Sequence, residues 1–507
     1  MAELARDARR TYGAGHEVRR TYAFGLPKRV FYGLAGVVLV GVVLTMAGLT
    51  ILGLSVAALA LLAAVPMSVR IAGKTGYELG LLERAWQRER RSGRNVLRAG
   101  PLSQAPQGRA RLPGVAASTE MWWGIDKLGN RFGMIRMVST GQYTVVLRCS
   151  PQGIAGMEQA VINAMVAEWG EFLALVGQTG DVSGIAAIAE TIPETGARLR
   201  TEMDRIAHPD APDAAREWLR QAGSGRTADR SGAQLHMRIA VTWKARTTAK
   251  RRDPMVMIAD LAERLPQLCV ALSRCQVVAE PMSDHQIAAT VRRSYDPRPE
   301  TEAAAEELTR HRGAVPPGES VDWLDAGPLA GEPIGRGYYA HDGAYSRTWV
   351  MSRPPSGFHD ETILRGVLVG RSDVPRKRVA LIYRPLPPAE AAESVHEDML
   401  SATARVTSTR GISSARANLT LASTRQSRDE EARGAGVVDY AMLITATAGS
   451  LEELRSYGEI IKDRSAGARM QIRPAWAQQP AAFLAGLGVG VLLPDHATVN
   501  RTLQGEQ

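Results

Sequence analysis

Gly73-Lys74-Thr75, within "SVRIAGKTGYE" (68–78), are the last three residues of a Walker A loop, whose chemistry is to wrap nucleotide phosphates in backbone N–H groups. Such a loop needs G-x-x-x-x-G-K-[ST] after a buried strand, because its first glycine turns the chain off that strand. Ser68 holds the place of that glycine, and the preceding stretch is too long and too apolar to be a strand. Lys74 therefore reads as a basic residue beside a membrane.

The other candidates for chemistry are sparse. Tyr338, His341, Asp342 and Tyr345 in "GYYAHDGAYSRTW" form the densest polar and aromatic cluster, and a His-Asp pair can exchange protons. No nucleophile or metal set accompanies it, so a turn entering a strand is the simpler reading. Cys269, Cys275 and His285 have a spacing that matches no closed zinc set. With Cys149 they make three cysteines, an odd number that fits reduced, buried thiols. "GDVSG" lacks the spacing of a nucleophile elbow, and "HEDML" lacks the second histidine of H-E-x-x-H. Glu190 and Glu194, around a strand end, read as ordinary surface carboxylates. Trp122 and Trp123 could stack on single-stranded nucleic acid, but strand alternation sends one into the core and leaves the other for packing or partner contact. No catalytic residue, cofactor or metal is expected.

The elements that would position any site begin with forty uncharged positions, Val30 to Val69. As one helix this run would be roughly 60 Å long, about twice the hydrocarbon core of a bilayer. Two membrane spans are expected, 30–48 and 51–69, with a turn near Thr45 to Thr50 and Pro66 in the last turn of the second. The run is too long and starts too late for a signal peptide. Residues 1–111 carry 17 Lys/Arg against 6 Asp/Glu, a net +11, so the rest of a chain with net charge +10 is near −1. Positive charge on both flanks and none in the turn places both termini in the cytoplasm of a bacterial cell membrane. Lys28, Arg29, Arg70, Lys74, Arg84, Arg88, Arg90 and Arg91 are the candidate contacts to anionic lipid. "YELGLLERAWQRERRSGRNVLRAG" reads as a basic amphipathic helix, with Leu79, Leu82 and Trp86 on one side. Its closeness to the bilayer favours the membrane surface over nucleic acid. The near-neutral remainder predicts no strong DNA-binding field.

From about Thr119 the chain alternates strand-like and helix-like blocks in an α+β order. Two halves, 112–312 and 336–507, each resemble split β-α-β units, so two ferredoxin-like modules are expected, separated by a Pro/Gly-rich linker at 313–335. With the hairpin, the expected fold class is a membrane protein with an N-terminal transmembrane helical hairpin and an α+β cytoplasmic region.

The assembled layout resembles a family of actinobacterial membrane proteins found with conjugation and type IV secretion-like transfer genes. The segments that carry the resemblance are "RRTYGAG", "LRAGPLSQAPQGRARLPG", "GQYTVVLRCSPQG", "HDGAYSRTWVMSRPP", "RKRVALIYRPLPPAEAA" and "QPAAFLAGLGVGVLLP". That family looks like a small channel subunit joined to the non-catalytic N-terminal part of the transfer ATPase. "AAFLAGLGVGVLLP" is similar to the segment that closes that part, and the sequence ends thirteen residues after Pro494. The resemblance therefore implies an oligomeric, non-enzymatic scaffold that docks a separate hexameric ATPase and other channel subunits. It carries over no functional residue. The alternatives are the E subunit of a type VII secretion membrane complex, which also pairs a hairpin with a soluble domain, and a membrane-tethered hydrolase using His341 and Asp342.

Overall fold

The structure, a computed structural model, describes residues 9–13, 28–68, 70–71, 74–101, 103, 106–193, 203, 206, 208, 210–228, 233–310, 320–407, 415–432, 434 and 436–496. The chain divides into two compact units, His16–Asn95 with Leu493–Gln507, and Met1–Gly15 with Val96–Leu492. The smaller unit contains helices α1 (Lys28–Met46), α2 (Thr50–Ser68) and α3 (Gly76–Arg91).

The larger unit is built on one antiparallel sheet of thirteen strands. In chain order these are β1 (Leu97–Arg98), β2 (Thr119–Ile125), β3 (Arg131–Met137), β4 (Gln142–Pro151), β5 (Val182–Pro193), β6 (Ala233–Lys244) and β7 (Val277–Pro281). There follow β8 (Ala330–Ile334), β9 (Tyr338–His341), β10 (Ala344–Arg353), β11 (Lys377–Pro385), β12 (Val438–Ala448) and β13 (Gln471–Pro474). Their spatial order is β1-β8-β9-β10-β12-β11-β5-β6-β4-β3-β2, with β7 added on β4 and β13 on β10. The two halves of the chain meet where β5 pairs with β11, from Thr191 opposite Lys377 to Ile185 opposite Tyr383.

Alternation along the central strands divides their residues between two buried faces. On the first face, Tyr143, Val145 and Leu147 of β4 with Ile239 and Val241 of β6 pack with Phe172 of helix α4 (Gln159–Gln178) and Leu261 and Leu265 of α5 (Pro254–Arg274). Trp349, Met442 and Ile444 make the matching core in the second half, beneath the helix Leu451–Gly467, through Leu454 and Ile461. The second face is lined by small hydroxylated residues: Thr144–Thr242, Thr348–Thr445 and Ser346–Thr447 share side-chain hydrogen bonds of 2.9, 2.9 and 2.7 Å.

The glycine-rich segment 479–492 covers part of that second face. It starts as a short helix, Gln479–Ala485, whose Gln479 side chain donates to the Thr348 carbonyl and accepts from the Thr348 N–H. Beyond it, Gly488 (φ +77°) lies against Ile188 and Ala240, and Gly490 (φ +81°) against Thr144. A Cβ at Gly490 would stand 2.1 Å from the Thr144 hydroxyl oxygen, so only glycine allows both this backbone conformation and this approach.

These findings correct the expected fold class of a transmembrane hairpin with two ferredoxin-like modules. Strands from both halves belong to one sheet, joined through β5 and β11. The β5–β11 pairing connects distant parts of the chain, and no local hydrophobic period encodes it. Among the described residues one helix, α4, is long and apolar enough to cross a membrane, and it packs on the sheet. The apolar helical stretches of the smaller unit, Phe31–Met46 and Thr50–Ala60, are shorter than that. The turn at Ala47–Leu49 falls where one was expected, between Thr45 and Thr50, but the apolar stretches on either side of it are too short to count as spans. One further difference is local: the Pro/Gly-rich segment before 336 contributes β8 to the sheet.

Candidate membrane-surface interface

In the smaller unit, α1 and α2 reverse through Gly48 (φ +88°). They approach so closely that a Cβ on Gly53 would meet the Gly41 carbonyl oxygen at 2.5 Å and the Thr45 nitrogen at 2.7 Å. Small residues at the contact leave the large ones outside: Leu39, Met46, Ile51, Leu54, Leu59 and Leu62 are 64–86% exposed. A contiguous apolar surface of this kind is unstable in water and marks contact with lipid or another protein.

Helix α3 follows directly. The Thr75 hydroxyl accepts from the Glu78 N–H at 3.2 Å while the Glu78 carboxylate accepts from the Thr75 N–H at 2.9 Å, a reciprocal cap. The threonine that completes Gly-Lys-Thr thus starts a helix, which accounts for the triplet without nucleotide. Its C-terminal turn carries Arg88, Arg90 and Arg91, where positive charge also offsets the helix dipole. Arg84, Arg88 and Arg91, spaced along one helical face, line a concavity of about 450 Å³ with Gln87 and Ser92. The Arg90 guanidinium lies over the Trp86 ring, 5.4 Å from its centroid. None of these four arginines forms an ion pair among the described residues. Of the expected membrane contacts, Lys28 and Arg29 fall in α1, and Arg70 and Lys74 in a short antiparallel pair; their side chains lie outside the described residues, as does Gly73.

The residues considered for catalysis are spent on structure. His341 is fully buried: Nδ1 donates to the Tyr295 carbonyl at 2.5 Å and Nε2 accepts from the Ser346 hydroxyl at 2.7 Å. Asp342 (φ +40°) faces elsewhere, its carboxylate accepting from the Ala330 N–H at 2.8 Å and from Arg292 at 2.8 Å. Tyr338 supports the Arg347 guanidinium 4.9 Å from its ring. Cys149 and Cys275 are buried, and burial pushes the Cys149 thiol up to about 12 and that of Cys269 to about 11. Trp122 packs into the core, while Trp123 is half exposed beneath the Arg131 guanidinium, 4.0 Å from its ring.

Burial lowers the His341 pKa to about 4, which makes stability depend on pH. The unfolded chain takes up this proton as pH falls below about 6.5, while the folded chain resists until about 4. The contribution of His341 is therefore complete above about pH 6.5 and is lost progressively down to pH 4, by about 3 kcal/mol. His236, lowered to about 4 mainly by burial, adds a smaller loss of the same sign, being partly exposed. Urea midpoints should fall between pH 7 and 4.5, and His341→Gln should remove about half of that slope. An unchanged slope in the variant would refute this assignment.

Glu190 is not the surface carboxylate expected from sequence. It lies fully buried on the second face, accepting from Arg238 at 2.7 Å, Arg293 at 3.2 Å and Arg378 at 3.1 Å. Burial alone would raise its pKa, but the three guanidiniums together hold it well below the ordinary carboxylate range. Its partners come from β6, helix Asp284–Tyr295 and β11, none of them near it in sequence. Glu194 lies outside the described residues.

A domain of unknown function (DUF8461) matches residues 19–78, which covers the apolar hairpin and the first turn of α3. No curated protein matches the chain.

Proposed function

We propose that this protein is a non-enzymatic scaffold of a conjugative, type IV secretion-like transfer apparatus. It is held at the anionic face of a cell membrane by its smaller unit and offers the sheet unit as a docking platform for a separate hexameric ATPase. The observation that carries the membrane half of this reading is the outward aliphatic surface of α1 and α2, followed in sequence by a helix with four arginines that form no ion pair among the described residues. The transfer apparatus is inferred from the resemblance of the sequence segments named above.

Each arginine near an anionic surface contributes about 1 kcal/mol, and the attraction is screened by salt. In full-length protein reconstituted into lipid nanodiscs, amide exchange across 76–91 should be slower with phosphatidylglycerol than with phosphatidylcholine alone. The triple reversal Arg84→Glu/Arg88→Glu/Arg91→Glu should abolish that difference while leaving exchange in the central strands unchanged. Equal exchange in both lipids would remove the surface contact. The docking half is tested by purifying the tagged chain from its own membranes: recovery of a hexameric ATPase is expected, and recovery without any ATPase would overturn it.

A further inference from the structure

The sheet unit contains a second cavity, of about 450 Å³, between the end of α4, the start of β5, the end of β6 and helix α5. Its size is that of a small-molecule site. Val176, Trp243, Met257 and Leu268 give it an apolar wall.

The charges around it are unequally used. Lys250 pairs with Asp260 at 2.8 Å, and Arg264 bridges Asp181 at 2.6 Å and Asp260 at 3.2 Å, so these two cations are neutralised within the protein. Lys244 and Arg246 also line the cavity, and neither has an acidic partner among the described residues. Gly180 (φ +63°) makes room for Arg246: a Cβ there would sit 2.5 Å from the guanidinium Nη2. On the opposite account, Asp181 is buried and its Oδ1 has no hydrogen-bond donor. A buried acceptor without a donor is costly, and a ligand hydroxyl or N–H would satisfy it.

We propose that this cavity binds an amphipathic phosphate monoester, with its apolar body against Trp243 and Leu268, its phosphate between Lys244 and Arg246, and a neighbouring hydroxyl or N–H on Asp181. An uncharged apolar molecule would leave both cations unmatched, and inorganic phosphate would leave the apolar wall uncovered. A lysophosphatidic acid and a nucleoside monophosphate share the required chemistry. No bond is made or broken on binding.

Equilibrium dialysis of the full-length protein against hexanoyl lysophosphatidic acid, adenosine monophosphate and inorganic phosphate tests the proposal and separates the two sources. Saturable binding of either organic phosphate, with inorganic phosphate at least about tenfold weaker, is the expected result. Lys244→Ala/Arg246→Ala should weaken binding at least about tenfold, since it removes two charge-assisted contacts from exposed positions. Leu268→Asp should weaken it through the apolar wall, and matching urea midpoints would exclude unfolding as the cause. Saturable binding of neither organic phosphate, or equal binding by wild type and the double variant, would overturn it. These readouts do not involve the membrane or an ATPase, so they succeed or fail independently of the scaffold reading.

Discussion

Replacing Glu190 with glutamine should lower the unfolding free energy by about 3–5 kcal/mol, the cost of breaking a buried ion pair from one side. The variant keeps the size of the side chain but leaves Arg238, Arg293 and Arg378 buried with no anion among them. Repulsion among the three is then uncompensated. Burial already lowers the Arg378 pKa to about 10 despite the carboxylate, which shows how much the charged form depends on that partner. Urea denaturation followed by tryptophan fluorescence measures the loss, and a second change, Arg238→Met, should recover part of it by removing one of the stranded charges. A loss below about 1 kcal/mol would mean that solvent reaches the cluster.

Gly490→Ala should be nearly as damaging, at about 2–4 kcal/mol. A positive φ at a non-glycine residue costs about 1 kcal/mol or more, and overlap in a filled interior adds about 1–3 kcal/mol. The overlapping atom is the Thr144 hydroxyl oxygen, already engaged with Thr242, so it cannot turn away freely. At Gly488 the nearest atom is the Ile188 Cδ1, the end of a flexible side chain, and alanine there should cost less. Limited proteolysis provides a second readout: the Gly490→Ala variant should be cut within 479–492, a segment that is buried in the native protein. Adding Thr144→Ala should relieve the overlap but not the backbone strain.

Much of the local structure was legible in the sequence. The alternation of strand and helix blocks from about Thr119 recurs in the structure, because each block is set by a short-range period. Trp122 and Trp123 divide between core and surface as alternation requires. What did not show was long-range: the β5–β11 pairing, and the three arginines that converge on Glu190 from separate elements. A lone glutamate at a strand end carries no local mark of burial. The pocket was not legible either, because its cations, Lys244 and Arg246, gain a role only when α4 and α5 supply an apolar wall, which spacing alone does not reveal. For α3, the spacing of Leu79, Leu82 and Trp86 indicated the amphipathic helix, and the structure added the threonine cap.

The β5–β11 seam also has a consequence for synthesis. From the end of β5 at Pro193 to the start of β11 at Lys377 the ribosome must add 184 residues (377 − 193), which takes about 10–40 s at ordinary translation speeds. Throughout that interval the nascent first half presents a long unpaired edge with its polar backbone groups open to other chains. Protection during those seconds, by a chaperone or by the crowded exit of the ribosome, is therefore part of what this sheet needs in order to form once per polypeptide and not between two of them.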